Sequence, residues 1–361
     1  MSNNGWNHNS ENIVPSELSK NETNSYQNIT IQYENSSNIL QESEEYLSAA
    51  CLLMQQGIQE QQTGELIAAK KSLQQSLSLF QKARDSRKQV KVLSMLALIA
   101  YTEGEYVDTI SYSQQSLALI QDSPDLSLEI QVLSHLGNAY RHLNQYDKAI
   151  ESLEKGLEIV QQSSDKRNQV AVLNNLGLVY KALGNIPQAI KYQEQSLEII
   201  QELQDNWGEE QVLRNLGNAW YALDDHPKAI AYYERCVKIA RSLNNIRSAS
   251  QVLKNLGNAC YTLRDYPKAI KYYEERLKLA REVQDKRSEE QSLNSLGVTF
   301  EALGDYHQAI TYYEELLLLA KTMGDRRSQE QALASLSSAC YALGDYTKAI
   351  QYNQEVRSTT P

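Results

Sequence analysis

Phenylalanine is nearly missing from this 361-residue chain: there are two, against twenty-three tyrosines. Buried aromatic surface must therefore come mostly from a side chain whose hydroxyl needs a partner. Long apolar runs are missing too. None approaches the ~18 residues of a membrane span, so no membrane insertion is expected. The N-terminal stretch MSNNGWNHNSENIV has neither a basic n-region nor an apolar h-region and does not read as a secretory signal. Positive charge is in deficit: 35 Lys and Arg face 45 Asp and Glu, for a net charge of −10. That balance argues against nucleic acid and against an anionic membrane surface as partners. The four cysteines (Cys51, Cys236, Cys260, Cys340) form no C-x-x-C pair, which suits a reduced, cytoplasmic chain.

Catalytic signatures are equally scarce. The five histidines fall in different sequence contexts and suggest neither a metal cluster nor a catalytic dyad. No phosphate-binding glycine loop occurs. The expectation is a chain with no enzymatic activity, no metal and no cofactor.

What the sequence does contain is itself, repeated every forty residues. Leu93, Leu133, Leu173, Leu213, Leu253, Leu293 and Leu333 are in phase, as are Leu96, Leu136, Leu176, Leu216, Leu256, Leu296 and Leu336. Gly137, Gly177, Gly217, Gly257 and Gly297 follow one residue later, with Ala97 and Ser337 as small substitutes. A fixed period of this kind is the signature of a stacked-repeat architecture. Within a period, Leu213, Leu216, Gly217, Trp220 and Leu223 form one helical stripe, and Ala229, Ile230, Tyr233 and Val237 form a second. Between them lies a turn: Asp224-Asp225-His226-Pro227, or a Gly at 184, 304 and 344, suited to a left-handed helix end. At the next junction either Ser288 (with Gln291) or Asp285 could cap the helix, and likewise Ser328 (with Gln331) or Asp325. Gly217 and Ala229 should let paired helices approach, with Leu216 and Tyr233 filling space toward neighbouring units.

These features predict an all-α solenoid of about eight helix-turn-helix units, near 47–86, 87–126, 127–166, 167–206, 207–246, 247–286, 287–326 and 327–361. The first, with Leu53, Gly57, Gly64 and Ala69 in register, reads as a degenerate cap, and the array as a whole spans 44–361. Residues 1–43, rich in Asn, Ser and Gln, are expected to be a disordered tail.

The strings L-G-N-A-x-Y and G-D-Y-x-K-A-I-x-Y-Y-E resemble the tetratricopeptide repeat consensus over roughly residues 47–357. The forty-residue spacing is similar to the long-repeat members: Leu-Gly-Asn-repeat adaptors, kinesin light chains and bacterial signalling arrays. The resemblance implies a right-handed superhelix whose first helices line a concave groove for an extended peptide or a partner helix.

The polar stripe of the first helices then becomes the candidate site: Gln211, Arg214, Asn218 and Tyr221, repeated as Gln251, Lys254, Asn258 and Tyr261. Weaker copies are Asn138 with Arg141, Asn174 with Lys181, and Asn294 with Glu301. An Asn amide can donate to a peptide carbonyl and accept from a peptide N–H, and Arg214 or Lys254 could hold a carboxylate. The same amides could instead bond a neighbouring unit and set its pitch. Arg214, Asn218 and Asn255 match part of the carboxylate clamp of some family members, but Gln291 and Ser295 stand where that clamp needs cations.

Other ladders read as structure. Arg87, Arg167, Arg247, Arg287 and Arg327 are expected to pair locally with nearby carboxylates. Tyr192, Tyr232, Tyr272, Tyr312 and Tyr352, beside Tyr233, Tyr273 and Tyr313, are expected to pack between units, and Glu234, Glu274 and Glu314 to form a solvated face. Cys260 and Cys340 fill a core slot held elsewhere by Tyr140, Trp220 or Phe300.

The functional expectation is a non-catalytic adaptor for a protein or peptide partner, acidic or C-terminal in character. Self-association through the uncapped last unit, or service as the sensor arm of a bacterial enzyme system, are the alternatives.

Overall fold

A computed structural model describes residues 44–120, 125–163 and 165–359, with side chains up to residue 356. The expected tail at 1–43 lies outside them. The described chain is all α-helix and turn, and it divides into two compact bodies at His135 and Leu136.

The first body holds α1 (44–62), α2 (Leu66–Lys82), α3 (Ser86–Glu103), α4 (Tyr106–Ile120) and most of α5 (Leu126–His142). Its core gathers Ala50, Ala69, Leu73, Phe80, Val92, Leu96 and Ile99. The second body continues from the end of α5 through α6 (Tyr146–Gln162), α7 (Lys166–Ala182), α8 (Ile186–Leu203), α9 (Asn206–Ala222) and α10 (His226–Ser242). It ends with α11 (Ile246–Thr262), α12 (Tyr266–Glu282), α13 (Lys286–Leu303), α14 (Tyr306–Met323), α15 (Arg326–Leu343) and α16 (Tyr346–Thr359). Each of α7 to α15 packs on the helix that follows it in sequence, as stacked helical hairpins must to bury their apolar faces.

Helix starts and stops come from short-range chemistry repeated every twenty residues. Asp285 and Asp325, not the serines, cap α13 and α15, accepting from the amides of Ser288 and Ser328. Asp165, Asn185, Asp225, Asn245, Asp265 and Asp305 do the same for their helices. One residue before Asn185, Asp225, Asn245, Asp265, Asp285, Asp305 and Asp325 the chain turns left-handed. Gly184, Gly304, Gly324 and Gly344 supply that conformation, but Gln204, Asp224, Asn244, Arg264 and Gln284 also adopt it, with φ between 53° and 60°. A non-glycine residue there costs about 1–2 kcal/mol.

Glycine in the first helices admits the paired helix closely, as expected, and what it admits is an aromatic ring. A Cβ on Gly217, Gly257 or Gly297 would sit 2.3–2.5 Å from the ring of Tyr233, Tyr273 or Tyr313. Each glycine thus seats the tyrosine of its own hairpin, sixteen residues on, rather than freeing that ring for a neighbour. The three rings are buried. Where the small residue is Ala97, residue 113 in the partner slot shrinks to Ser.

The second tyrosine ladder packs between hairpins as expected, but the glutamates are not merely solvated. The hydroxyls of Tyr232, Tyr272, Tyr312 and Tyr352 donate to Glu194, Glu234, Glu274 and Glu314 at 3.4, 2.7, 3.2 and 3.2 Å, each thirty-eight residues back. The arginine ladder departs the other way. Arg87, Arg167, Arg247, Arg287 and Arg327 are exposed and make no ion pair among the described residues. The reason is geometric: a capping carboxylate such as Asp285 faces the amide of the third residue on, so the arginine two residues on is left to solvent.

Candidate partner-binding face

The sequence-derived site residues all fall in the second body, on the first helices of its hairpins. Gln211, Arg214, Asn218 and Tyr221 lie along α9, and Gln251, Lys254, Asn258 and Tyr261 along α11. Asn218, Tyr221 and Asn258 are brought together: with Tyr233 and Asn255 they line a small cavity of about 110 Å³. Neighbouring first helices meet directly there, the Asn255 amide donating to Asn218 Oδ1 at 3.1 Å.

That carbonyl oxygen is doubly used. Tyr233 also donates to it, at 2.7 Å, and Tyr273 donates to Asn258 Oδ1 at 2.7 Å. Burial pushes both tyrosine pKa values up, so the hydroxyls stay protonated donors. Asn218 therefore has no acceptor site left, and Asn258 keeps one lone pair, so the paired acceptor and donor that the sequence suggested survives only at Asn258. Each keeps its NH2 as the group available to a guest carbonyl.

Arg214 is likewise engaged. Its Nη1 lies 3.3 Å from Glu210 Oε1 and 3.1 Å from Ser248 Oγ. Glu210 is 1 % exposed; its carboxylate also accepts from Ser248, from Asn245 at 3.4 Å and from the Cys236 thiol at 3.6 Å. A buried charge needs such partners. Lys254 makes no ion pair among the described residues and stays half-exposed. Gln251 binds Asn255. Tyr221 and Tyr261 pack on His226 and Tyr266 at 4.9 and 5.5 Å between centroids.

The weaker copies do not converge with these. Asn138 is half-buried, while Arg141 lies against His142 at 2.9 Å. Asn174 lends only its backbone carbonyl, to Gln193, and Lys181 is exposed at the end of α7. Asn294 lines a separate cavity of about 450 Å³ with Arg287, Arg327 and Ser328.

Glu210, Ser248 and Arg276 went unremarked in the sequence. Their signal is a break in the forty-residue phase: Arg276 stands where the adjacent hairpins have Cys236 and Leu316, and Ser250 where they have Glu210 and Glu290.

A family model described as tetratricopeptide repeat matches residues 89–162, 128–202, 168–242, 208–282 and 288–359. The chain belongs to the tetratricopeptide repeat family. No curated protein sequence matches this repeat chain. Among solved structures it is similar to a signal transduction ATPase with numerous domains from Pyrococcus horikoshii, carrying a tetratricopeptide repeat sensor. That match has 18 % identity and a TM-score of 0.65, over 85 % of this chain and 47 % of the ATPase. The repeat chain thus spans about half of that protein's length. A repeat protein from Cytophaga hutchinsonii (17 % identity, TM-score 0.57, 74 % of this chain and 95 % of that one) is a second. The quorum sensor NprR of B. thuringiensis is a third (15 %, 0.50, 90 % and 99 %). At these identities the likeness is one of fold.

Proposed function

We propose that this repeat chain is a non-catalytic, cytoplasmic adaptor that holds an extended segment of a partner protein against the first-helix face of its second body. The observation that carries the reading is the pair of asparagines at 218 and 258. Tyr233 and Tyr273 fix their oxygens, so their NH2 groups are oriented in advance as donors to a carbonyl. A fixed donor loses little freedom on binding, which is where affinity is gained. Lys254 and the unpaired arginines Arg247, Arg287 and Arg327 favour an acidic segment.

The test is Asn218→Asp with Asn258→Asp. Each aspartate keeps the oxygen that its tyrosine needs, loses the donor and adds a negative charge. Partner proteins captured from cells by the parent chain should bind the double variant at least about tenfold more weakly, the cost of two unmade hydrogen bonds plus repulsion. Its thermal melt should stay within a few degrees of the parent. Equal capture by both chains would rule the asparagines out as contacts.

A second reading, a sensor arm working with an enzymatic effector, is favoured by the sensor in the similar ATPase. It keeps the same binding face and adds a signalling consequence. Self-association would instead use α16, where Tyr346 and Ile350 are 58 % and 57 % exposed. Light scattering over a concentration series separates it from the adaptor reading.

A further inference from the structure

The buried carboxylate of Glu210 belongs to a pair of like contacts with one gap between them. Ser248 donates to Glu210, and Ser328 donates to Glu290; in both cases the serine opens the first helix of the next hairpin, thirty-eight residues on. Midway between these pairs the same slots hold Ser250 and Ser288, so the glutamate is missing. A cation has come in its place. Arg276 of α12 is 3 % exposed, where the adjacent hairpins have Cys236 and Leu316.

Its partners are all neutral: Ser292 Oγ at 3.2 Å, Ser288 Oγ at 3.3 Å and Gln291 Oε1 at 2.8 Å. Its Nε is buried with no hydrogen-bond partner among the described residues. A guanidinium in this position lacks the anion that buried charges ordinarily require. Burial lowers its pKa, while Asp285 works in the opposite direction. Among the described residues Asp285 is the one carboxylate lining the site, and its Oδ1 accepts from the amide of Ser288.

Arg276 lines a cavity of about 660 Å³, with Arg214, Arg247, Ser248, Ser250 and Ser288 also on its wall. We propose that this cavity receives a carboxylate from the partner, which takes the place of the glutamate missing at position 250 and pairs with Arg276. This rests on the partner-binding reading for the source of the carboxylate, either an acidic side chain or a chain terminus. A planar guanidinium suits either, since both present the same bidentate oxygen pair.

The test needs no partner. Thermal melts of the full chain are recorded in N-acetylglutamic acid α-amide, which mimics the side chain, in N-acetylglycine, which mimics the terminus, and in inorganic phosphate. Sodium chloride at matched ionic strength is the reference. At least one of the two carboxylates should raise the melting temperature by about 2 °C or more near saturation, and the better of the two identifies the source. Arg276→Leu, the residue of the next hairpin, should abolish the shift. Ser250→Glu, which restores the internal carboxylate, should abolish it too while raising the melting temperature without ligand.

No carboxylate-specific rise in the parent would overturn the proposal. So would a larger rise in phosphate, or an undiminished rise in Arg276→Leu, a variant that removes a buried charge and is expected to fold. A retained carboxylate response beside failed partner capture would count against the adaptor reading alone.

Discussion

His135 occupies a position that later repeats fill with Asn175, Asn215, Asn255, Ser295 and Ser335. Burial alone lowers its pKa to about 4, from an ordinary 6.5. The folded chain holds this imidazole neutral while the unfolded chain protonates it near 6.5. Its contribution is therefore complete above pH 6.5 and is lost as pH falls toward 4. Melting temperatures of the parent should drop across that window more steeply than those of His135→Asn; parallel curves would show that the ring is solvated. Nothing in the sequence ranks this histidine above the other four, because desolvation is a property of the packed neighbourhood. Arg276 and Ser250 were visible as departures from phase, but their meaning was not. It depends on the start of the next first helix folding back onto both. The asparagines at 218 and 258 were legible as polar ladder positions. That a tyrosine hydroxyl already claims each oxygen follows only from the ring lying over Gly217 or Gly257.

The hairpins α9–α10, α11–α12 and α13–α14 are each held by that glycine–tyrosine contact. Gly257→Ala would place a methyl 2.3 Å from Tyr273 Cε1, with the ring buried and unable to swing away. The expected cost is about 1–3 kcal/mol, read as a lower urea midpoint at unchanged slope; a neutral result would mean that the two helices slide apart cheaply. At this scale the sequence was most informative. The forty-residue phase, the turn glycines and the small-residue positions predicted helices where helices stand. The direction of individual side chains was less accessible: the junction arginines face solvent because their aspartates face backbone amides, and the glutamates that looked like surface hold tyrosines of the following hairpin.

Across the whole molecule the four thiols are natural probes of where the structure opens. Burial raises the Cys236 pKa to about 12 and that of Cys260 to about 11, and Cys340 is also buried, in the final hairpin. Cys51 is only partly covered. With a thiol reagent at pH 8, mass spectrometry should find Cys51 modified first. Cys340 should follow, and Cys236 and Cys260, whose thiols burial holds far above the usual range, should come last. Simultaneous modification of the three buried thiols would instead mean that they are released in a single opening. The spacing of the tyrosine–glutamate bonds has a further, historical consequence. The four bonds made by Tyr232, Tyr272, Tyr312 and Tyr352 each reach back thirty-eight residues, so donor and acceptor lie in consecutive copies of the repeat. Tandem duplication or excision of a whole copy leaves each tyrosine with a glutamate at the same distance, whereas a change of any other length strands one. Such a gene can lengthen or shorten by whole copies without inventing a new junction, and the constraint favours forty-residue steps.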